Sequence, residues 1–210
     1  MHKVIYTLIL TVVLISCSDL NKKEWKNLCN QKDYALLEDF ILQNPNSIHF
    51  EEAIESVRQL KEQKDEESIV TLYPAYYGRN IIRIIIKSDS LLWIGEKYKG
   101  KILTSNIDSL ALDFIQNKEY SENQPLKTVK EIDGISFEIS KGRFLIIYEK
   151  DDKLEEMKNI INKLNKSLTI YKKQIQNENG LDDSQYLREL VFESRLEIFE
   201  YQKHLETEKQ

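Results

Sequence analysis

The side chains that could do chemistry are few and widely spaced. The chain has two cysteines, Cys17 and Cys29, and of its three histidines two, His49 and His204, lie beyond the first residues. Cys17 is a thiol beside a small residue, Ser16, at the end of an apolar run. Glu197, Glu200 and His204 fall at helical spacing and would offer two carboxylates and an imidazole to a metal. The charges of a solvated tail account for the same three residues, and that reading is preferred. Asp151, Asp152, Glu155 and Glu156 form an acidic cluster, but the first turn of a helix favours acids without any cation. Cys29 reads as a small core residue and His49 as a surface residue beside the cap formed by Ser47. The sequence carries no nucleophile–base pair, phosphate-binding loop, HExxH or dinucleotide fingerprint. No catalytic residue, metal or cofactor is therefore expected, and the chain reads as non-enzymatic.

The N-terminus is more informative. Met1-His2-Lys3 is a short positive stretch and residues 4–15 are a twelve-residue apolar run. That is too short for a membrane span, which needs about 20 apolar residues, and it fits a secretory signal. Leu14-Ile15-Ser16-Cys17 resembles the lipobox of bacterial lipoproteins. The resemblance implies cleavage before Cys17, a diacylglyceryl group on its sulfur and an acylated amino group, so that several chains, palmitate among them, give stable anchoring. It places the protein in the cell envelope, attached to a bacterial membrane, the outer one favoured. Asp89-Ser90-Leu91 and Asp108-Ser109-Leu110 resemble an O-glycosylation sequon used by some bacteria with surface lipoproteins.

Composition narrows the classes further. At 41% hydrophobic residues the chain can fold, and its net charge of −5 excludes the basic footprint of a nucleic-acid binder. The elements that must carry any function divide into blocks: 1–16 as signal, 17–23 as tether, 24–67 as a helical hairpin, 78–178 as an α+β domain, and 181–210 as a last helix with a charged tail. In the first block Asp33 is a candidate N-cap, and Leu36, Leu37, Phe40 and Ile41 form a helical stripe. Asn44-Pro45-Asn46-Ser47 ends that helix. Ala53, Ile54, Val57 and Leu60 then mark the next. The pattern is similar to one unit of a tetratricopeptide-type repeat and does not recur downstream.

The second block begins with the β-branched run 81–86, followed by a turn at Ser88-Asp89-Ser90 and a strand at 91–94. Ser105 and Asp108 suggest a capping box opening a helix with Ile107, Leu110, Ala111 and Phe114 inward. Residues 117–131 read as a mobile loop. Two further strands, 135–139 and 144–148, flank Lys141-Gly142. From about Asp152 a long helix carries Leu154, Met157, Ile161, Leu164, Leu168, Tyr171 and Ile175 at alternating steps of three and four, and Gly180 stops it. At 1.5 Å per residue it extends about 42 Å, more than a small sheet covers. Its surplus, centred on Leu164 and Leu168, would pair with the last helix or with a second copy in a weak homodimer.

Arg79 to Ile86, then Ser90 to Glu96, then a helix ending Asp113-Phe114-Ile115-Gln116-Asn117 resemble the periplasmic domain of ExbD/TolR proteins. Leu145 to Asp151, leading into Ile160 to Leu164 and Tyr171, sits where that family has a strand, a polar turn and its second long helix. The resemblance implies a small mixed sheet with helices on one face and binding of a partner protein or peptidoglycan, accessory to proton-driven envelope transport. The family's proton-carrying transmembrane helix is replaced here by a signal and lipid site, so no motor activity follows. The alternative is a tetratricopeptide-type scaffold lipoprotein with an unrelated α+β domain.

Overall fold

The computed structural model describes residues 22, 25–67, 79–95, 99–118, 124–132, 134–148, 153–181 and 196–200. The chain divides into two compact units, Met1–Thr71 and Leu72–Gln210. No helix among the described residues is long and apolar enough to cross a membrane. The architecture is α+β, as the sequence predicts.

In the first unit α1 covers 25–31, α2 is Tyr34–Gln43 and α3 is Phe50–Glu67. Asp33 caps α2, its carboxylate accepting from the Ala35 N–H at 2.9 Å. Lys32, at φ 50°, makes the bend before it. Asn44 closes α2 by donating from its backbone and side-chain nitrogens to the Phe40 carbonyl. α2 and α3 pack as a helical hairpin around Leu37, Phe40, Ile41, Phe50, Ala53, Ile54 and Val57, all buried. Leu36, expected in the stripe, is 38% exposed. The indole of Trp25 from α1 completes this core, 5.4 Å from the Phe40 ring.

The second unit is built on β1 (Ile81–Ile86), β2 (Leu91–Ile94), β3 (Lys99–Ile102), β6 (Arg143–Tyr148) and β7 (Leu196–Glu200), in the order β3-β2-β1-β6-β7. The pairs β1–β2 and β2–β3 are antiparallel, while β1–β6 and β6–β7 are parallel. The register sets Ile84 between Trp93 and Ile146. Because side chains alternate across a strand, Ile82, Ile84, Ile86, Trp93, Phe144 and Ile146 share one buried face. α4 (Ile107–Gln116) lies on that face, with the Phe114 ring 5.7 Å from Phe144. α5 (Leu154–Asn179) packs along α4.

Several expectations are corrected. The end of the stretch read as a mobile loop is instead part of a strand, β4 (Lys127–Ile132), and it pairs antiparallel with β5 (Ile135–Ser140) in a separate two-stranded sheet. The strands flanking Lys141-Gly142 therefore belong to different sheets. Gly142 sits in a close approach: a Cβ there would stand 3.1 Å from the Pro125 ring and 3.2 Å from Phe114, so those neighbours would have to give by a few tenths of an ångström. The capping box at Ser105 does not form; a 3-10 turn, Thr104–Asn106, precedes α4, and Asp108 turns toward lysines of α5 instead. At the C-terminus, Leu196–Glu200 is a strand rather than a continuation of the expected last helix, and it pairs with β6 residue for residue. Residues 182–195, the body of that expected helix, lie outside the described residues.

The surplus length of α5 is taken up within the chain. A 26-residue helix runs about 39 Å, whereas a six-residue strand spans about 20 Å. Beyond the strands, α5 meets the β4–β5 hairpin, where the Tyr171 hydroxyl accepts the Ser140 N–H at 2.8 Å. It also meets the end of α4, where Gln116 donates to Gln174. Gly180, at φ 64°, caps α5 as expected, its N–H reaching the Gln176 carbonyl.

Candidate functional site

Cys17, the expected lipidation site, lies outside the described residues together with the whole segment 1–21. The other candidates are placed, and the fold separates most of them.

Leu164 is fully buried in the chain's own core, beside equally buried Met157, Ile160 and Ile161. Leu168 is half-buried. Leu164 is thus packed within its own chain, while Leu168 keeps part of its surface open. The reason is geometric: α4 and the hairpin together cover a wider stripe of α5 than a sheet alone would.

The trio Glu197, Glu200 and His204 loses its basis. Glu197 and Glu200 lie in the strand β7, not on the helix whose spacing would have grouped them, and His204 lies outside the described residues. Of the acidic cluster, Asp151 and Asp152 are also outside them. Glu155 pairs with Lys158 at 2.5 Å, and Glu156 pairs with Lys153 and accepts from the Thr104 hydroxyl. Among the described residues no group of three or more His, Cys, Asp or Glu could hold a metal.

Cys29 and His49 exchange the environments expected of them. Cys29 is an exposed free thiol, not a core residue. Partial burial and then the Glu52 carboxylate push its pKa up, which keeps it in the less reactive thiol form. His49 has a side chain only 17% exposed. Its ring stacks on Trp25 with centroids 5.0 Å apart, and Nδ1 lies 3.1 Å from the Glu52 carboxylate. Nε2 is buried without a hydrogen-bond partner. Ser90 stands in the β1–β2 turn and donates to Asp89 at 2.9 Å, lowering that carboxyl's pKa, with Lys101 adding to the effect. Ser109 is exposed on the first turn of α4 and donates to the Asn106 carbonyl.

A polar constellation among the described residues is one the sequence did not single out. It surrounds 124–126, the connection from α4 to β4. Arg79 Nε donates to the Gln124 carbonyl, and Asn117 Nδ2 donates to the Pro125 carbonyl at 2.8 Å. The Leu126 N–H donates to Asn80 Oδ1 at 2.7 Å, and the Lys141 N–H to the Leu126 carbonyl at 2.8 Å. Ser140 Oγ accepts from the Gly142 N–H. Asn117 and Ser140 are each 1% exposed, and the pairing offsets what burying them bare would cost. Asn117 also ends α4 in the left-handed region at φ 38°, a role for which asparagine is suited. An asparagine directly after a helical stripe was the signal available in sequence. Tyr171 closes the group; burial raises its pKa to about 12 despite the lowering effect of the Ser140 N–H. These bonds run to backbone carbonyls and amides, and what they do is fix the path of the chain. No family model, curated protein or solved structure matches this sequence.

Proposed function

We propose that the protein is a non-enzymatic, lipid-anchored component of a bacterial cell envelope whose α+β unit binds a partner protein or the cell wall. One observation carries the reading: a positive stretch, a twelve-residue apolar run and then Ile15-Ser16-Cys17. The ExbD/TolR resemblance is the source of the partner-binding role; what supports it is that β1 and β2, then α4, then β6 and the long α5 follow one another in that order, with β3 and the β4–β5 hairpin added between them. Any place beside a proton-driven transporter would be accessory, since the stretch that resembles that family does not include its proton-carrying helix.

Metabolic labelling with a fatty-acid probe tests the anchor. Wild type should take up label and partition with membranes, and Cys17→Ser should lose the label and accumulate as a longer precursor. An unlabelled wild type overturns the anchor. Pull-down from detergent-solubilised envelopes then tests the partner, and recovery of neither a protein nor wall fragments removes that half of the proposal.

A further inference from the structure

We draw no further inference here: the strongest candidate, the face of the large sheet turned away from α4, where Ile81, Leu92 and Ile94 lie among Arg83, Lys99 and Lys101, carries nothing because Ile85 and Ile147 at its centre are already buried and nothing in the structure shows what covers it.

Discussion

The strand pairs β1–β6 and β4–β5 are equally long, six residues in each strand, yet they are held in opposite ways. In the first pair Ile82, Ile84, Ile85, Ile86, Phe144, Ile146, Ile147 and Tyr148 are all buried, so many side chains share the work. In the second, among the residues whose burial is described, only Phe137, Ile139 and Ser140 are buried, and Val129 is 63% exposed. The hairpin depends instead on single atoms: the Tyr171 hydroxyl, the Asn80 side chain and the Leu126 carbonyl. Apolar burial is redundant and graded by area, whereas a buried N–H either has its acceptor or lacks it.

The largest effect should come from breaking the apolar pair. Ile84 is 0% exposed at the centre of β1, and Ile84→Asp would bury a charge without a partner at a cost of several kcal/mol. Stability of an ordinary domain is about 5–15 kcal/mol, so the sheet should fail to form. Circular dichroism and thermal melting read this directly, and a wild-type melt would show that β1 is not the centre of the core.

Leu164→Ala comes next, because it cuts into the packing of α5 on its own chain. Removing a fully buried leucine costs about 2–5 kcal/mol, and the urea midpoint should fall accordingly. The loss should be independent of protein concentration. A concentration-dependent loss would mean that Leu164 joins two copies, contrary to its burial within one.

Tyr171→Phe probes the hairpin's polar pin. It keeps the ring and removes the acceptor of the Ser140 N–H, which should cost about 1–3 kcal/mol and speed amide exchange at Ser140. The wild type adds a pH signature. Its phenol ionises near 12 when folded against an ordinary value of 10. Since the folded state holds the proton more tightly, the Tyr171 contribution is complete below pH 10 and declines as pH rises toward 12. A phenylalanine variant with unchanged Ser140 exchange would assign the hairpin's position to Phe137 and Ile139 alone.

This contrast explains which parts of the fold were legible in sequence. The run 81–86 and the three–four spacing from Leu154 to Ile175 state burial in their periodicity, and both became the elements expected of them. Lys127-Thr128-Val129-Lys130-Glu131 states nothing of the kind, because these residues carry no apolar alternation; β4 pairs with β5, next to the bonds around 124–126. β3 was hidden for a similar reason: as Lys99-Gly100-Lys101-Ile102 it reads as a polar turn, while its lysines suit an edge strand. The burial of His49 was not legible because its ring stacks on Trp25, a contact between α1 and the turn just before α3. The proposed lipid site is the reverse case, read from local sequence alone and outside the described residues.

The smallest effect should appear where α4 and α5 meet through charge. The Asp108 carboxylate lies 2.5 Å from Lys163 Nζ and 3.5 Å from Lys166 Nζ, with the Asp108 and Lys163 side chains 27% and 24% exposed. The Lys163 hydrogen bond holds the Asp108 pKa below its ordinary 3.8, outweighing the burial that would raise it. A carboxyl whose pKa is lowered by folding contributes stability at neutral pH, and that contribution disappears as pH falls from about 4 through the folded value. Partly exposed pairs are worth about 0.5–1 kcal/mol, and Asp108→Asn should lose that much at pH 7. The Ser167 hydroxyl donates to the Asp108 carbonyl, not its carboxylate, so this second tie between the helices survives in the variant. The gap between wild type and Asp108→Asn in urea midpoint should therefore be largest at low salt near neutral pH and close below pH 4. A gap that persists in acid would mean that asparagine disturbs the packing of α4 on α5, and that the ion pair contributes less than the shape of the contact.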